Sequence, residues 1–268
     1  MDLKLSGKTA LVTGATQGIG LSIALALASA GCRLAICARS AEGLDVAAQR
    51  IGALNASVVR ICADICRPED ASRLIEETVF RLGGLDILIN NVGGAAGGFF
   101  FETGDDDWQT TFEINVYSIV RLIRLAAPHM KYRSGASIVN ISSISGWVPQ
   151  LAGSAQYGSS KAAQMFLTEP LALELAPLGI RVNNVAPGSI CFSEGAWDRL
   201  RQRRPELYEE YARESFPMGR LGTVEEIADV VTFLVSPRAG WINGRTIAVD
   251  GLQQPISQRL SQAIFGGK

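Results

Sequence analysis

Hydrophobic and polar positions divide the chain into two kinds of segment that follow each other in turn. Short apolar runs predict strands at residues 9–12, 33–37, 57–62, 85–90, 137–141, 181–185 and 246–249. Longer stretches with helical spacing predict helices at residues 18–30, 41–52, 68–82, 106–130, 155–176 and 224–235, with a further helical insert before the last of them. Such alternation is typical of parallel strands joined by right-handed crossovers. We therefore predict an α/β fold, a Rossmann-type doubly wound parallel sheet with helices on both faces, as a single domain over residues 1–268.

The composition narrows the possible partners. The 268 residues are 47% hydrophobic and carry a net charge of −1, which provides no basic field for nucleic acid or an anionic membrane. No early apolar run approaches the ~20 residues that span a bilayer, and the start of the chain lacks the pattern of a signal peptide. We expect a cytoplasmic protein with no nucleic-acid or membrane partner.

Cysteine and histidine usage argues against a metal site and against a Ser-His-Asp triad. The five cysteines contain no CxxC pair, and His129 is the single histidine. A zinc site needs closely spaced Cys and His ligands, so we predict no metal. A triad would have to use His129, which we expect at the end of a helix after Pro128.

A glycine-rich turn joins the first predicted strand to the first predicted helix. Glycines permit a tight turn and close approach of the backbone, and a helix N-terminus attracts a pyrophosphate. At this point of a strand–helix unit, the turn predicts a dinucleotide site. The contacts are expected from Gly14, Thr16, Gln17, Gly18, Ile19 and Gly20.

The end of the second predicted strand bears on the choice of cofactor. In doubly wound folds an acidic residue there binds the ribose 2′-hydroxyl of NAD and disfavours the 2′-phosphate of NADP. This chain has Ala38, Arg39 and Ser40 instead, and a guanidinium can pair with a phosphate through two hydrogen bonds. We predict NADP(H) rather than NAD(H). The alternative is that Arg39 stacks on the adenine and leaves the preference mixed.

A tyrosine and a lysine share one face of a predicted helix. Tyr157 and Lys161 stand four residues apart, so the phenol and the ammonium can face one cavity. A nearby ammonium, together with the charge of an oxidised nicotinamide, is expected to lower the pKa of the tyrosine from its ordinary value near ~10. Such a tyrosine can exchange a proton with a carbonyl or alcohol oxygen. Hydroxyls follow the preceding strand, where these folds place active sites; Ser143 is preferred, with Ser142 and Ser145 as alternatives.

These residues together resemble the short-chain dehydrogenase/reductase family, in its compact branch, over nearly the whole chain. The glycine turn has the family's Gly-x3-Gly-x-Gly spacing, and residues 90–93 resemble its Asn-Asn-Ala-Gly motif with Val92 replacing the alanine. The resemblance implies further cofactor contacts from Asp64, Ile65, Asn91, Gly93, Tyr157, Lys161, Pro187, Gly188, Ser189 and Ile190.

The resemblance also implies roles. Tyr157 would be the general acid/base, and Ser143 would polarise the substrate carbonyl. Lys161 would lower the pKa of the tyrosine and bind the nicotinamide ribose. Asn115 would hold a water that links Lys161 to solvent. A homo-oligomer, dimer or tetramer, is expected on the same basis.

The chain departs from the family pattern at three places. Thirteen residues separate Ser143 from Tyr157, one more than usual, so the intervening loop is expected to bulge. Phe192 stands where the family often has a threonine that contacts the carboxamide. Pro170 falls inside the helix that carries Tyr157, where it is expected to interrupt or kink the helix at a cost of ~3 kcal/mol.

Three segments are expected to line the substrate cleft, namely residues 94–101, 146–156 and 189–217, with the last acting as a lid. The predicted pocket consists of Gly94, Ser143, Trp147, Leu151, Phe192 and Trp197. Further aromatic side chains expected nearby are those of Phe99, Phe100, Phe101 and Tyr208. This balance favours an apolar or cyclic carbonyl substrate.

The sequence thus predicts an NADP(H)-dependent oxidoreductase that interconverts a ketone or aldehyde and an alcohol. Two alternatives stay open. One is a 3-oxoacyl-thioester reductase, for which the basic run from Arg199 to Arg204 could steer an anionic substrate. The other is a non-catalytic NADP-binding sensor on the same fold, although the serine, tyrosine and lysine are all present.

Overall fold

The computed structural model describes residues 2–149 and 155–265. Its main sheet consists of β1 (Thr9–Thr13), β2 (Arg33–Ala38), β3 (Val58–Cys62), β4 (Ile87–Asn90), β5 (Ser137–Ile141), β6 (Arg181–Pro187) and β9 (Thr246–Val249). All neighbouring strands pair in parallel, in the order β3-β2-β1-β4-β5-β6-β9. The predicted doubly wound α/β fold is confirmed.

Helices cover both faces of this sheet. One face carries α1 (Gly18–Ser29), α2 (Ala41–Gly52) and α9 (Val224–Val235). The other carries α3 (Pro68–Leu82), α5 (Ser118–Met130) and α6 (Ala155–Leu175). Each strand serves both layers because successive side chains point to opposite faces. On β1, Ala10 and Val12 belong to the first core cluster, and Leu11 belongs to the second.

The strand order places a crevice at one edge of the sheet. The chain builds outward from β1 to β3 and then crosses back to add β4 on the other side of β1. At such a switch point the connections leave in opposite directions, so a crevice opens beyond the carboxyl ends of β1 and β4. The glycine turn follows β1, and Asn91 follows β4, so both lie at this crevice.

Two helices differ from the prediction. The helix expected over residues 106–130 is divided into α4 (Asp105–Phe112), a π-helical turn (Glu113–Tyr117) and α5. The expectation that Pro170 interrupts its helix is wrong, because α6 runs on as a helix to Leu175. Proline removes one intrahelical hydrogen bond.

The C-terminal third adds elements around the crevice. They are β7 (Ile190–Cys191), α7 (Ala196–Arg203), α8 (Pro205–Ser215), β8 (Gly222–Thr223) and α10 (Gln258–Phe265). β7 and β8 pair in parallel as a separate two-stranded sheet. A small third core cluster, centred on Tyr211, Phe216 and Leu260, joins α8 to α10. Within the described residues, no helix is long and apolar enough to cross a membrane.

Candidate active site

The turn after β1 has the geometry of a phosphate-binding turn. Gly14 and Gly18 have φ of +66° and +56°, in the left-handed region that favours glycine. A Cβ atom on Gly20 would overlap the carbonyl oxygen of Gly14, so only glycine fits there. The side-chain amide of Asn91 donates to the carbonyl oxygens of Thr13 (3.0 Å) and Gly14 (3.1 Å) and so ties the turn to the end of β4.

A cleft of about 710 Å³, which we call the cofactor cleft, opens above this turn. That volume lies within the ~300–1,000 Å³ typical of cofactor and ligand sites. Twelve of the predicted cofactor residues line it: Gly14, Thr16, Gln17, Gly18, Ile19, Gly20, Arg39, Ser40, Asp64, Ile65, Asn91 and Gly93. The tight glycine turn and the open helix N-terminus therefore fit a dinucleotide.

Four of the six other predicted cofactor residues lie at the end of β6 and just after it. Pro187 is the last residue of β6 and is buried. Gly188 and Ser189 line a second cavity next to Ser143, and Ile190 lines a third beside Ser189. Gly188 and Ser189 thus line the same cavity as Ser143.

The far end of the cofactor cleft is formed by the ends of β2 and β3. Arg39 is exposed there, and the hydroxyl of Ser40 accepts a hydrogen bond from the backbone N–H of Gly43 (3.0 Å), which caps α2. Asp64 is half-buried, and its carboxylate accepts from the backbone N–H of Cys66 (3.1 Å). The guanidinium of Arg39 is thus the charged group at the end of β2, where discrimination between NAD and NADP takes place in this fold.

Asn115 and Lys161 meet at the inner end of the cofactor cleft. The side-chain amide of Asn115 donates to the carbonyl of Gly94 (2.7 Å) and to the hydroxyl of Ser160 (2.9 Å). A Cβ atom on Gly93 would lie 3.0 Å from Nζ of Lys161 and 3.1 Å from Oδ1 of Asn115, so both polar atoms face this glycine. The π-helical turn places Asn115 here, because one extra residue in the turn rotates its side chain inward.

Lys161 is buried and held by two acceptors. Its ammonium donates to the carbonyl of Ile141 at the end of β5 (2.9 Å) and to the side-chain oxygen of Gln164 (3.0 Å). Burial lowers the pKa of Lys161 to about 7. Nζ also lies 5.7 Å from the ring centroid of Tyr157.

The three candidate serines differ in their surroundings. Ser143 lies close enough to Tyr157 for its hydroxyl to lower the pKa of the phenol, and it lines the second cavity. Ser142 is buried in the sheet, where its hydroxyl donates to the carbonyl of Val185 (3.2 Å). Ser145 also lines the cavity, and its hydroxyl accepts from that of Ser143 (3.1 Å). Ser143 therefore contacts Tyr157, and Ser145 contacts Ser143.

The pKa of Tyr157 differs from the expected direction. Burial raises it above the ordinary value, and the hydrogen bond with Ser143 opposes that rise only in part. The sequence predicts a lowered pKa when the Lys161 ammonium and an oxidised nicotinamide are both nearby, whereas in the protein alone desolvation of the phenolate is the largest cause and raises the pKa. Removing solvent therefore favours the protonated phenol, the form that donates a proton in carbonyl reduction.

The second cavity, which we call the substrate pocket, has a volume of about 260 Å³. Its rings form a wall in which Trp197 stacks on Tyr211 at 4.5 Å and meets Phe265 edge to face at 6.1 Å. The hydroxyl of Tyr211 bonds to that of Ser189 (2.8 Å) and accepts from the side-chain amide of Gln253 (2.8 Å). The full lining consists of Ser143, Ile144, Ser145, Gly188, Ser189, Trp197, Tyr211, Gln253, Ile256 and Phe265.

The predicted pocket residues separate in the structure. Ser143 and Trp197 line the substrate pocket, whereas Gly94 and Phe192 line the cofactor cleft. A Cβ atom on Gly18 would lie 2.9 Å from the ring of Phe192, so this side chain lies over the glycine turn. Trp147 is about half exposed, and Leu151 lies outside the described residues. The rings of Phe99, Phe100 and Phe101 are also exposed.

Five residues of the pocket wall were not predicted as pocket residues from the sequence, namely Ile144, Tyr211, Gln253, Ile256 and Phe265. Tyr211 lies within the segment 189–217 that the sequence assigns to the lid. The sequence therefore predicts that Tyr211 is near the substrate cleft, but not that its ring forms part of the pocket wall. Gln253, Ile256 and Phe265 come from the C-terminal segment, which is held at the pocket by the hydrogen bond from Gln253 to Tyr211 and by the packing of α10 on α8.

Comparisons with known proteins identify the family. The family model described as "Enoyl-(Acyl carrier protein) reductase" matches residues 14–251. Human dehydrogenase/reductase SDR family member 4 is 36% identical over 252 residues, covering 92% of this chain and 87% of that protein. L-Sorbose reductase from Gluconobacter frateurii, solved with NADPH and L-sorbose, superposes with a TM-score of 0.87 at 33% identity, over 94% of this chain and 98% of that one.

A third similar protein carries the other nicotinamide cofactor. A 7α-hydroxysteroid dehydrogenase solved with NADH and 7-oxo glycochenodeoxycholic acid gives a TM-score of 0.87 at 33% identity, over 95% of this chain and 97% of that one. The chain therefore belongs to the short-chain dehydrogenase/reductase family and is a nicotinamide-dependent oxidoreductase.

Proposed function

We propose that the protein is an NADP(H)-dependent oxidoreductase that interconverts a small hydrophobic or cyclic ketone or aldehyde and its alcohol. One observation carries the proposal. Ser143, Tyr157 and Lys161 lie together between a cleft suited to a dinucleotide and a pocket with an aromatic wall. This is the arrangement needed to hold a carbonyl carbon beside a hydride donor and its oxygen beside a proton donor.

Each residue has a defined task in this proposal. The bound nicotinamide supplies or accepts the hydride. Tyr157 donates its phenolic proton to the carbonyl oxygen in reduction and takes it back in oxidation, and Ser143 donates a hydrogen bond to the same oxygen. The ammonium of Lys161 holds the ribose and stabilises the phenolate. Asn115 fixes the backbone at Gly94 and holds a water through which the proton passes from Lys161 to solvent.

The preference for NADP(H) rests on Arg39. Its guanidinium is exposed at the end of β2, at the far end of the cofactor cleft. Charge-assisted bonds from a guanidinium to the 2′-phosphate favour NADP(H) over NAD(H). The two structural relatives differ in this respect, since one was solved with NADPH and the other with NADH.

The size and walls of the pocket support a small substrate with one ring. A volume of 260 Å³ lies below the usual range for drug-sized ligands, ~300–1,000 Å³. The stacked rings of Trp197 and Tyr211 offer an apolar face to such a molecule. The segment 189–217 supplies both rings, which supports its role as a lid over substrate and cofactor within a single catalytic domain.

A 3-oxoacyl-thioester reductase is the second candidate, favoured by the acyl-carrier-protein wording of the family model. The basic run from Arg199 to Arg204 supports this candidate less in the structure than it does in the sequence alone. Arg201 pairs with Asp198 at 2.6 Å, and Arg199 donates to the carbonyl of Glu194. Arg204 donates to the carbonyl of Ala263 at 2.6 Å. These three guanidinium groups thus organise the lid itself.

The test is NADPH oxidation, followed by absorbance, against aryl ketones, cyclic diketones, β-keto esters and an acetoacetyl thioester, with NADH in parallel. Turnover by the wild type and a loss on the order of 10²–10⁴-fold in Tyr157→Phe is expected, because the general acid is removed. Tyr132→Phe is the matched control, since this tyrosine is exposed, and it should keep full activity. Tight NADPH binding with no turnover of any ketone would instead support the sensor. Fastest turnover of the thioester would support the second candidate.

We also propose that the enzyme works as a homo-oligomer. Large apolar side chains are exposed on α6, where Phe166 and Leu173 stand two turns apart on one face. Such a pair is typical of helix faces that pack against another copy of the chain.

A further inference from the structure

Gln164 is a buried polar side chain next to Lys161, and nothing in the roles given above uses it. It lies three residues after Lys161 on α6, so the two side chains share one face of the helix. Only 1% of its surface is exposed. Its side-chain oxygen accepts a hydrogen bond of 3.0 Å from the ammonium of Lys161.

The other end of the same amide is unsatisfied. Nε2 of Gln164 is buried and has no hydrogen-bond partner among the described residues. An unpaired buried donor destabilises the folded protein. An apolar side chain of the same length would avoid this cost, so the feature that the position requires is the amide oxygen. The orientation of the amide is fixed by its neighbour, because turning Nε2 toward the ammonium would place two donors together.

The contacts of Lys161 show what that oxygen does. An ammonium has three N–H donors. Ile141 and Gln164 accept two of them, at 2.9 and 3.0 Å. The side of Nζ toward Gly93 faces the cofactor cleft, since a Cβ atom on Gly93 would lie only 3.0 Å from Nζ. The two acceptors therefore leave the third donor for the cleft.

We propose that Gln164 is a positioning residue for Lys161, whose side-chain oxygen keeps the ammonium charged and aimed at the cofactor cleft. This inference rests on the roles proposed above for Lys161 and Tyr157. Among the residues whose polar atoms or rings face Nζ, which are Ile141, Asn115, Tyr157 and Gln164, only Tyr157 titrates.

The charge of Lys161 is vulnerable without such an acceptor. Burial alone lowers the pKa of Lys161 to about 7, and no charged side chain among the described residues contributes to the shift. Loss of the amide oxygen would lower this pKa further, because the ammonium would lose a hydrogen bond that its neutral form needs less. When a larger fraction of Lys161 is neutral at a given pH, the lysine binds the ribose more weakly and stabilises the Tyr157 phenolate less.

Two variants with opposite expected effects test the proposal. Gln164→Met keeps the length of the side chain and removes the acceptor, whereas Gln164→Glu keeps the shape and adds a negative charge. The control is Thr168→Val, because Thr168 is equally buried one turn further along α6 and its hydroxyl donates to the backbone carbonyl of Gln164 (3.1 Å) instead of contacting Lys161. Thermal melting confirms that each variant is folded.

The first readout is the affinity for NADPH, measured by fluorescence between about pH 6 and 11, a range that includes both the lowered pKa of Lys161, about 7, and its ordinary value of 10.5. Affinity is expected to fall as pH rises and Lys161 loses its proton. Relative to the wild type, the midpoint of this fall moves to lower pH in Gln164→Met and to higher pH in Gln164→Glu. It stays in place in Thr168→Val. Because no substrate is needed, this readout does not depend on which carbonyl compound the enzyme uses.

The second readout is the pH profile of alcohol oxidation, which needs the Tyr157 phenolate. In Gln164→Met its rising limb moves to higher pH by about one unit, so kcat near neutral pH falls on the order of tenfold, while the KM for the alcohol is little changed. Unchanged midpoints in both Gln164 variants, with Tyr157→Phe inactive, would overturn the role of Gln164 alone. Full activity in Tyr157→Phe would overturn the proposed function itself.

Discussion

Burial opposes ionisation at both members of the Tyr157–Lys161 pair. It lowers the pKa of the lysine to about 7 and raises that of the tyrosine. Opposite charges ~4–6 Å apart favour one another, so the charged form of each residue depends on the charged form of the other. A proton taken up or released at Tyr157 therefore shifts the equilibrium between the charged and neutral forms of Lys161. The ammonium of Lys161 donates hydrogen bonds to Ile141 and Gln164, and hydrogen bonds to the charged form oppose the loss of its proton.

Arg39 gives the sharpest prediction at the scale of one residue. Arg39→Asp is expected to raise the KM for NADPH by about 10–100-fold, since a charge-assisted pair contributes ~1.5–3 kcal/mol and the new carboxylate repels the 2′-phosphate. The KM for NADH should stay the same or fall, because a carboxylate at this point can accept a hydrogen bond from the ribose hydroxyl. Steady-state kinetics with both cofactors measures the change.

The control for this prediction is Arg33→Asp, at the opposite end of the same strand. Arg33 begins β2 and is exposed, so the net charge changes equally without any group entering the cofactor cleft. A KM for NADPH that is the same in Arg39→Asp and the wild type would contradict the assignment of Arg39 to the 2′-phosphate.

Among single residues, the sequence predicts the catalytic set but not its neighbours. Ser143, Tyr157, Lys161 and Asn115 stand in recognisable motifs, and the structure brings them together. The three-residue spacing of Gln164 from Lys161 was visible in the sequence, but spacing alone does not tell which face of a helix is buried. The raised pKa of Tyr157 also depends on burial, which only the packed structure provides.

Among the elements, the strands and helices of the main sheet were predictable because their apolar residues are dense and regular. The short parallel pair β7 and β8 has two residues in each strand, too few for any period to show. The helix α10 is short and follows a polar stretch, so its position depends on long-range contacts with α8. The π-helical turn around Asn115 keeps a helical pattern and differs only in its hydrogen bonds.

The packing of α7, α8 and α10 around the substrate pocket leads to a prediction for the lid. Trp197→Ala removes a ring that stacks on Tyr211 and meets Phe265, which opens the aromatic wall. We expect kcat/KM for a small cyclic ketone to fall about tenfold, since aromatic contacts contribute ~0.5–1.5 kcal/mol beyond the apolar area they bury. Relative activity should shift toward bulkier, two-ring ketones, which the enlarged pocket admits.

Trp241→Ala serves as the control for the lid, because this indole is fully exposed and lines none of the cavities described above. The comparison uses kcat/KM for one small and one bulky ketone in all three proteins. If Trp197→Ala and Trp241→Ala keep the same ratio between the two ketones as the wild type, Trp197 does not shape the substrate pocket.

For the molecule as a whole, the exposed face of α6 links the candidate active site to the oligomer proposed above. This helix carries Tyr157 and Lys161 near its start and Phe166 and Leu173 further along. The latter two are 77% and 72% exposed, an unusual fraction for large apolar side chains so close together. Packing of this face against another copy would bury them and hold the catalytic helix in place.

Phe166→Asp tests this arrangement. Placing a charge in an apolar interface costs several kcal/mol, enough to convert a stable oligomer into single chains at micromolar concentration. Light scattering after size-exclusion chromatography should give a multiple of the chain mass for the wild type and the mass of one chain for the variant. Phe80→Asp is the control, because Phe80 is 87% exposed on α3 and should leave the mass unchanged. A wild type that already elutes as a single chain would show that this face of α6 is free in solution. A drop in activity that accompanies dissociation in Phe166→Asp would show that assembly supports the position of Tyr157 and Lys161.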